Sequence, residues 1–313
     1  MSKTLIMAFD IGTTGVKTCL FSVEKTVELL GSAMEGYSLH THPDGSAEQI
    51  PSEWWSAICS TSKKVVEKTG VDPKDIAGIS FCSQMQGLVL VEKDGKPARN
   101  AMSYMDQRAK EELKEIMANG LQIAGSNIFK LIPSLLITGA VAASVKDPVY
   151  KYKWVEKHEP NVFKKTHKWL DVKEYIICQM TGEFVMTQDS AFATLLYDIR
   201  DGKKCWSPTV CKLLGVDMKH LADIKKSTDK IGGLTDKAAA ELGLCPGTAV
   251  FGGGGDASLI GVGAGSTALG DTHVYSGTSG WVSTVVDKSI VDTSAMIAAI
   301  VGAQDGYYNY FAE

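Results

Sequence analysis

The chain has 313 residues, of which 44% are hydrophobic and 22% are charged, and its formal net charge is −4. This composition is that of a globular chain long enough to bury a core, and it excludes an intrinsically disordered chain. The net negative charge, with no Lys/Arg block longer than a pair, argues against a nucleic-acid partner and against a basic membrane-binding patch.

The amino terminus and the cysteines predict a cytoplasmic protein. The sequence begins MSKTLIMAFDIGTTG, in which an aspartate soon interrupts a short apolar run, unlike a signal peptide or a membrane anchor. The seven cysteines are scattered and form no CxxC pair. This usage is typical of reduced thiols rather than of a disulfide framework.

The amino-terminal half predicts strands and helices in alternation. The first residues predict a β-hairpin, because an apolar strand runs into a Gly-Thr-Thr-Gly turn and strand character resumes after it. The segments that follow predict, in order, a helix beginning at Pro51, strands at 76–81 and 87–91, and a charged helix at 107–118.

The second half of the sequence also predicts both helices and strands. Residues 134–182 predict a mostly helical segment, with Trp154, Trp169 and Tyr175 as core anchors. The later segments predict a helix at 236–242 capped by Thr235, a strand at 248–251, a helix at 257–265 and strand character over 273–286. Mixed strands and helices predict an α/β fold. A composition shift at 244–247 predicts two domains, 1–246 and 247–313.

One four-residue turn occurs twice, in the copies Gly12-Thr13-Thr14-Gly15 and Gly277-Thr278-Ser279-Gly280. Glycines at such a turn let successive backbone N–H groups point into one concavity that binds anions, and Thr and Ser hydroxyls suit phosphate oxygens. Either turn alone is also what a plain β-hairpin contains. The pair predicts two phosphate-binding turns in two related lobes.

Charged residues near these turns suggest further roles. Lys17 follows the first turn and can supply a positive charge to a phosphate, whereas Asp10 precedes it, where a carboxylate can hold hydrated Mg²⁺. Asp256 ends a run of four glycines and is a candidate proton acceptor. The alternative for Asp256 is a turn former or a helix cap.

Two common nucleotide-binding motifs also contain glycine-rich turns. Residues 12–18 read GTTGVKT, which has the wrong spacing for a Walker A loop. Residues 252–257 match the dinucleotide pattern GxGxxA, which leaves an NAD-dependent oxidoreductase as an alternative function. Asp256 argues against this alternative, because a carboxylate in the turn repels a pyrophosphate.

Three segments in this order carry a family resemblance: FDIGTTGVKTCLF at 9–21, GGGGDAS at 252–258 and YSGTSGWV at 275–282. They resemble the phosphate-1, catalytic-base and phosphate-2 elements of the FGGY carbohydrate kinases, and residues 153–206 are similar to the middle region of that family. The resemblance implies the ribonuclease-H-like fold of the actin-like ATPases. It also implies ATP and Mg²⁺ as cofactors and Asp256 as the general base.

Two shorter segments imply the sugar contacts. SQMQG at 83–87 resembles the GQMHG segment of xylulokinases, and MDQR at 105–108 looks like their WxDxR element. The match implies that the sugar or polyol substrate contacts Met85, Gln86, Asp106 and Arg108. Two departures from the xylulokinase pattern are a glutamine at position 86 in place of histidine and the replacement of the usual tryptophan near Tyr104.

The sugar implied by this match is a ketopentose such as xylulose, since the Arg-Glu pattern of glycerol kinases is absent from this segment. Two of the implied contacts have structural alternatives. Met85 would otherwise be core filler, and Asp106 would otherwise cap the helix that follows it.

Family members are longer than this chain. The resemblance therefore implies a complete amino-terminal lobe over 1–246 and only the beginning of a second, similar lobe over 247–313. An alternative function is then a catalytically incomplete fragment that binds sugar. The strand edges of an unfinished sheet can also pair with another chain, which makes a homodimer an expected arrangement.

Overall fold

The computed structural model describes residues 4–276, 280–289, 291–292 and 297–312. Its strands, in chain order, are β1 Thr4–Ile11, β2 Gly15–Val23, β3 Val27–Gly36, β4 His40–Thr41, β5 Ala47–Gln49, β6 Ile76–Ser83, β7 Val89–Val91, β8 Ala101–Met102, β9 Gln122–Ile123, β10 Ser126–Asn127, β11 Lys168–Leu170, β12 Val185–Thr187, β13 Tyr197–Asp198, β14 Cys205–Trp206, β15 Asp223–Lys225, β16 Lys230–Gly233, β17 Ala249–Phe251, β18 Gly254–Gly255, β19 Thr272–Ser276, β20 Gly280–Val286, β21 Val291–Asp292, β22 Ile297–Val301 and β23 Tyr308–Ala312.

The helices in these ranges are α1 Pro51–Thr69, α2 Lys110–Ile116, α3 Ile128–Thr138, α4 Pro148–His158, α5 Pro160–Lys165, α6 Val172–Thr181, α7 Gln188–Ala193, α8 Pro208–Leu214, α9 Asp236–Leu242 and α10 Asp256–Gly263. Short 3₁₀ turns lie at Pro73–Asp75 and Met218–His220. None of these helices in the described ranges combines the length and the apolar character that a membrane span requires.

The amino-terminal part of the chain is built around a sheet in the order β16-β17-β6-β1-β2-β3, with β18 also paired to β6. β1 pairs antiparallel with β2, which confirms the predicted hairpin, and parallel with β6. β17 and β18 also run parallel to β6. The carboxyl ends of β1, β6 and β18 therefore meet at one edge of the sheet.

The sequence of β1 explains its register. Its side chains alternate, and the buried ones are Leu5, Met7, Phe9 and Ile11. Asp10 is exposed between two of them. A slip of one residue would move the apolar set to the other face, so the pattern specifies the register. This register pairs Asp10 with Lys17 on β2 and with Cys82 on β6.

Helix α1, which begins at Pro51 as predicted, covers one face of this sheet. Pro51 stands in its first turn, where a missing N–H costs nothing, and left-handed Gly70 ends it by donating its N–H to the Val66 carbonyl. The side chains that it buries include Trp54, Ile58, Thr61 and Val65. α1 packs on β2 and β3, α6 packs on β6, β16 and β17, and α9 contacts both helices.

The middle of the chain differs from the prediction at one place. Residues 134–182 are mostly helical, but β11 interrupts the helices. β11 pairs antiparallel with β7, and Trp169 on β11 has no exposed surface. Pairing with a distant strand therefore overrides the local helical pattern. The predicted anchor Tyr175 is buried, whereas Trp154 is only partly buried.

The carboxyl-terminal strands form a second sheet in the order β19-β20-β23-β22-β21, with antiparallel neighbours throughout. β19 and β20 form the strands predicted around the second turn, but Gly277, Thr278 and Ser279 lie outside the described residues. β17 and β18 belong to the first sheet, which therefore continues past residue 246. The division into domains 1–246 and 247–313 stays a prediction.

The four-glycine run reaches the first sheet through a close backbone approach. Gly253 has a φ of +65°, and a Cβ at this position would collide with the backbone of Phe81 on β6. The left-handed conformation and the missing side chain together let the loop pass against β6 and begin α10 at Asp256.

We expect the Gly253→Ala substitution to destabilise the fold by roughly 2–4 kcal/mol, because the cost of a left-handed backbone adds to the cost of overpacking. The measurement is the urea unfolding midpoint. Gly263→Ala is the matched control, since a Cβ at Gly263 meets open space. The control should change the stability by less than about 1 kcal/mol, and equal destabilisation of the two variants would contradict the explanation.

Candidate functional site

A cavity of about 320 Å³ lies between the carboxyl edge of the first sheet and β22 of the second. Two of the sequence-predicted groups meet in it: the segment 84–86, which follows β6, and Asp256, which begins α10. Thr13 from the first turn also contributes, and Ile300 and Val301 close the opposite side. The volume suits a small ligand.

The strand register explains why these groups converge. In the parallel pairing, Asp10 on β1 lies beside Cys82 on β6, and Cys82 lies beside Gly254 on β18. Neighbouring strands are about 4.8 Å apart, so Asp10 and Gly254 are separated by about 10 Å across the sheet. Burial raises the pKa of the Cys82 thiol to about 12, and the nearby carboxylates of Asp10 and Asp256 act in the same direction.

Asp256 has the environment of a proton acceptor. Its side chain is exposed to solvent on the cavity side, while protein surrounds it elsewhere. The resulting desolvation raises the pKa of Asp256, and the carboxylates of Asp10 and Asp189 raise it further by charge repulsion. The N–H of Ala257 donates to Oδ1 at 2.8 Å and holds the carboxylate at the start of α10. A carboxylate with a raised pKa at the wall of a cavity suits general-base chemistry.

The loop before Asp256 contacts the predicted sugar segment directly. A Cβ on Gly255 would overlap the thioether of Met85. Met85 is only partly buried and lines the cavity together with Gln86. The structure therefore places Met85 at the cavity wall rather than in the core.

Asp106 and Arg108 are not among the described residues that line this cavity. Asp106 has no exposed surface, and its carboxylate accepts the N–H of Ala47 at 2.9 Å and a guanidinium N–H of Arg108 at 2.9 Å. Arg108 also lies 4.5 Å over the ring of Trp154. The two residues form an ion pair next to the segment that carries Tyr104, and their contact with a sugar stays a prediction.

Side chains from elsewhere in the protein donate hydrogen bonds to the carbonyl groups of the first turn. The Tyr37 hydroxyl donates to the carbonyls of Gly12 at 2.5 Å and Gly15 at 3.0 Å, and the Gln49 amide donates to the Thr13 carbonyl at 2.8 Å. The N–H groups of Thr13 and Thr14 have no acceptor among the described residues. They border a concavity of about 260 Å³. Unpaired N–H donors at the border of a concavity are an arrangement that fits an anion.

Asp10 and Lys17 lie next to this turn. Both side chains are exposed, and they are register partners on β1 and β2. In the described ranges, no cluster of three or more His, Cys, Asp or Glu side chains is arranged to hold a metal ion. A single exposed carboxylate suits Mg²⁺, which keeps several waters and is often held mainly by substrate phosphates.

Asp189 is a cavity residue that the sequence analysis missed. Its Oδ2 accepts the N–H of Gly255 at 2.7 Å, and its Oδ1 accepts the hydroxyl of Thr187 at 2.5 Å. The buried Lys173 ammonium is 3.8 Å from the same Oδ1. Asp189 thus ties the loop that carries Asp256 to α7. In the sequence it stands in the stretch DSAFAT, which has no motif spacing of its own.

The GxGxxA match does not form a dinucleotide cradle. The four glycines at 252–255 are all buried, and backbone or side-chain atoms of the protein occupy the space beside each one. The helix that follows begins with Asp256, whose charge opposes a pyrophosphate at that helix terminus. The oxidoreductase alternative therefore has no support in this geometry.

Comparisons with known proteins identify relatives over nearly the whole chain. Residues 5–263 match the FGGY family of carbohydrate kinases, N-terminal domain. A xylulose kinase of Bacillus subtilis (strain 168) is 29% identical over 304 residues, which cover 97% of this chain and 58% of that protein. A gluconokinase of the same strain is 26% identical over 93% of this chain and 54% of its own length.

The solved structures agree with the sequence relatives. A ligand-bound xylulose kinase from Lactobacillus acidophilus superposes with a TM-score of 0.85 at 25% identity, over 98% of this chain and 59% of that one. This chain spans a little over half the length of the relatives it matches. The α/β fold is thus the actin-like ATPase fold of these kinases, as expected from the sequence. Since the family match extends over most of the sequence, the chain belongs to the FGGY family of carbohydrate kinases.

Proposed function

We propose that the protein transfers the γ-phosphate of ATP to a hydroxyl group of a small neutral sugar, and that this sugar is a ketopentose such as xylulose. The observation that carries the proposal is the convergence of Asp256 with the Met85-Gln86 segment in one cavity. Because the chain spans 58% of the xylulose kinase it matches, turnover by this chain itself is part of the proposal.

In this mechanism Asp256 accepts the proton of the attacking sugar hydroxyl as its oxygen bonds to the γ-phosphorus. The bond between that phosphorus and the bridging oxygen of ATP breaks, and ADP leaves with the bonding electrons. The amides of Gln84 and Gln86 and the hydroxyl of Tyr104 would orient the other sugar hydroxyls from the cavity wall. Phosphoryl transfer depends mainly on such positioning and on charge neutralisation.

The first turn is proposed as a phosphate site. The N–H groups of Thr13 and Thr14 would donate to phosphate oxygens, and Lys17 would add a positive charge beside them. Asp10 is the proposed carboxylate for water-bound Mg²⁺, which, when bound, neutralises charge on the phosphates. Its exposed position beside the turn supports this assignment.

The second phosphate turn is proposed from the sequence alone. Gly277, Thr278 and Ser279, which lie between β19 and β20 in the sequence, would bind phosphate oxygens. A reaction that consumes ATP also agrees with the cytoplasmic location expected from the sequence.

The charge of the cavity favours a neutral sugar over a sugar acid. The described lining residues include the carboxylates of Asp189 and Asp256 but no lysine or arginine. A gluconate anion would therefore meet like charge without a compensating cation, whereas a ketopentose would find hydroxyl and amide partners. Both substrate classes occur among the relatives, as xylulose kinase and gluconokinase.

The first experiment measures ADP release by the purified protein with Mg²⁺-ATP and a panel of ketopentoses, gluconate, pentitols and glycerol. We expect turnover with a ketopentose and little with gluconate. Asp256→Asn should lower kcat by about 10²–10⁴-fold, the usual contribution of a general base, and should leave the sugar dissociation constant within about threefold.

Asp201→Asn is the matched control, because Asp201 is an exposed aspartate outside the cavity. It should retain wild-type turnover. Sugar binding lost together with activity in Asp256→Asn would contradict the general-base role, and sugar binding without turnover in the wild type would contradict catalysis by this chain.

A second experiment tests how Asp189 affects the base. The charge of Asp189 raises the pKa of Asp256, so Asp189→Asn should lower that pKa and keep the base ionised at lower pH. The acid limb of the pH profile of kcat/KM should then move to lower pH. The profile of Asp201→Asn should match the wild type. A shift to higher pH, or no shift, would contradict the proposed coupling.

A further inference from the structure

Gln86 adopts a backbone conformation that is rare for a residue with a side chain. Its φ is +62°, in the left-handed region that glycine adopts without a steric cost. Such a conformation persists only where the surrounding structure imposes it, and it is enriched at ligand-binding sites. Gln86 lies at the wall of the candidate sugar cavity.

Charged side chains hold both peptide groups of Gln86. Its N–H donates to Oδ2 of Asp171 at 2.8 Å, and its carbonyl accepts from Nζ of Lys151 at 2.9 Å. The N–H of the next residue, Gly87, donates to Oδ1 of Asp171 at 2.9 Å. Lys151 is 0% exposed and Asp171 is 4% exposed, so water competes little for these bonds.

The two holding residues come from separate, well-anchored elements. Lys151 lies in the first turns of α4, and Asp171 caps α6 by accepting the N–H of Val172 at 2.8 Å. Burial lowers the pKa of Lys151 to about 8, although the carboxylates of Asp106, Asp171 and Asp147 oppose this shift. A buried lysine of this kind is costly unless its nitrogen has a partner, and in the described part of the chain the Gln86 carbonyl is its acceptor.

We propose that Lys151 and Asp171 are positioning residues, which hold Gln86 in the left-handed conformation so that its side chain selects the sugar. This inference rests on the proposed function, since it assigns Gln86 to the sugar. Glycine at position 86 would form the same turn without strain. The presence of a glutamine in this strained conformation at the cavity wall therefore points to a role for its side chain there.

The test compares Lys151→Met with Lys153→Met, which removes a partly exposed lysine from the same helix. Two quantities are measured: the hydrogen exchange rates of the Gln86 and Gly87 amides, and the dissociation constants of D-xylulose and D-ribulose. In Lys151→Met we expect both amides to exchange at least about tenfold faster and the preferred ketopentose to bind about tenfold more weakly. Lys153→Met should stay within about twofold of the wild type in both measurements. Identical behaviour of the two variants would overturn the inference.

A second variant keeps the buried lysine in place. Gln86→Gly relieves the left-handed strain, so it should raise the thermal midpoint by about 1–3 °C. It should also leave the exchange of the Gly87 amide unchanged and weaken binding of the preferred ketopentose by about tenfold. A lowered thermal midpoint would contradict the claim that Gln86 is held in a strained conformation. Unchanged sugar affinity would contradict its role in selecting the sugar.

Different results would contradict the proposed function and the positioning role of Lys151 and Asp171. A wild-type chain that binds neither ketopentose overturns the proposed substrate and, with it, the selection role of Gln86. The exchange rates do not depend on any sugar, so they decide separately whether Lys151 holds the segment.

Discussion

The site depends on the parallel register of β1, β6 and β18. This register aligns Ile11 with Ser83 and Ser83 with Gly255, so the three strands end at the same level of the sheet. The proposed phosphate turn follows the first strand, the proposed sugar segment follows the second, and Asp256 follows the third. Ligand sites form at the carboxyl ends of strands in open α/β sheets for this reason. One backbone constraint thus brings three distant segments to one cavity.

Buried charges then hold the segments that the sheet brings together. Asp189 accepts a hydrogen bond from the N–H of Gly255, and Asp171 accepts one from the N–H of Gln86. Asp106 forms an ion pair with Arg108 next to the segment that carries Tyr104. The free-energy cost of burying each carboxylate is offset by hydrogen bonds from backbone N–H groups or by a neighbouring cation. Removal of one partner leaves an uncompensated buried charge. These residues therefore affect the geometry of the cavity without contacting the sugar in the proposed mechanism.

Local patterns predicted the elements and the two central segments of the site. The hairpin, α1 and α9 followed from alternation, helical periodicity and caps, which act over a few residues. The roles of Asp189 and Lys151 were not predictable in this way, because their partners lie 66 and 65 residues away in the sequence. The hydrogen bond from the Ala47 N–H to Asp106 has the same origin, since it joins residues 59 positions apart in the sequence.

The central claim is that a sugar binds between Gln86 and Asp256. The most direct measurement is a crystal structure of the protein with D-xylulose and without nucleotide. The account predicts the sugar in this cavity, with one hydroxyl oxygen about 2.6–3.2 Å from the Asp256 carboxylate and another in contact with the Gln86 amide. An empty cavity, or a bound sugar whose hydroxyls do not reach Asp256, would contradict it.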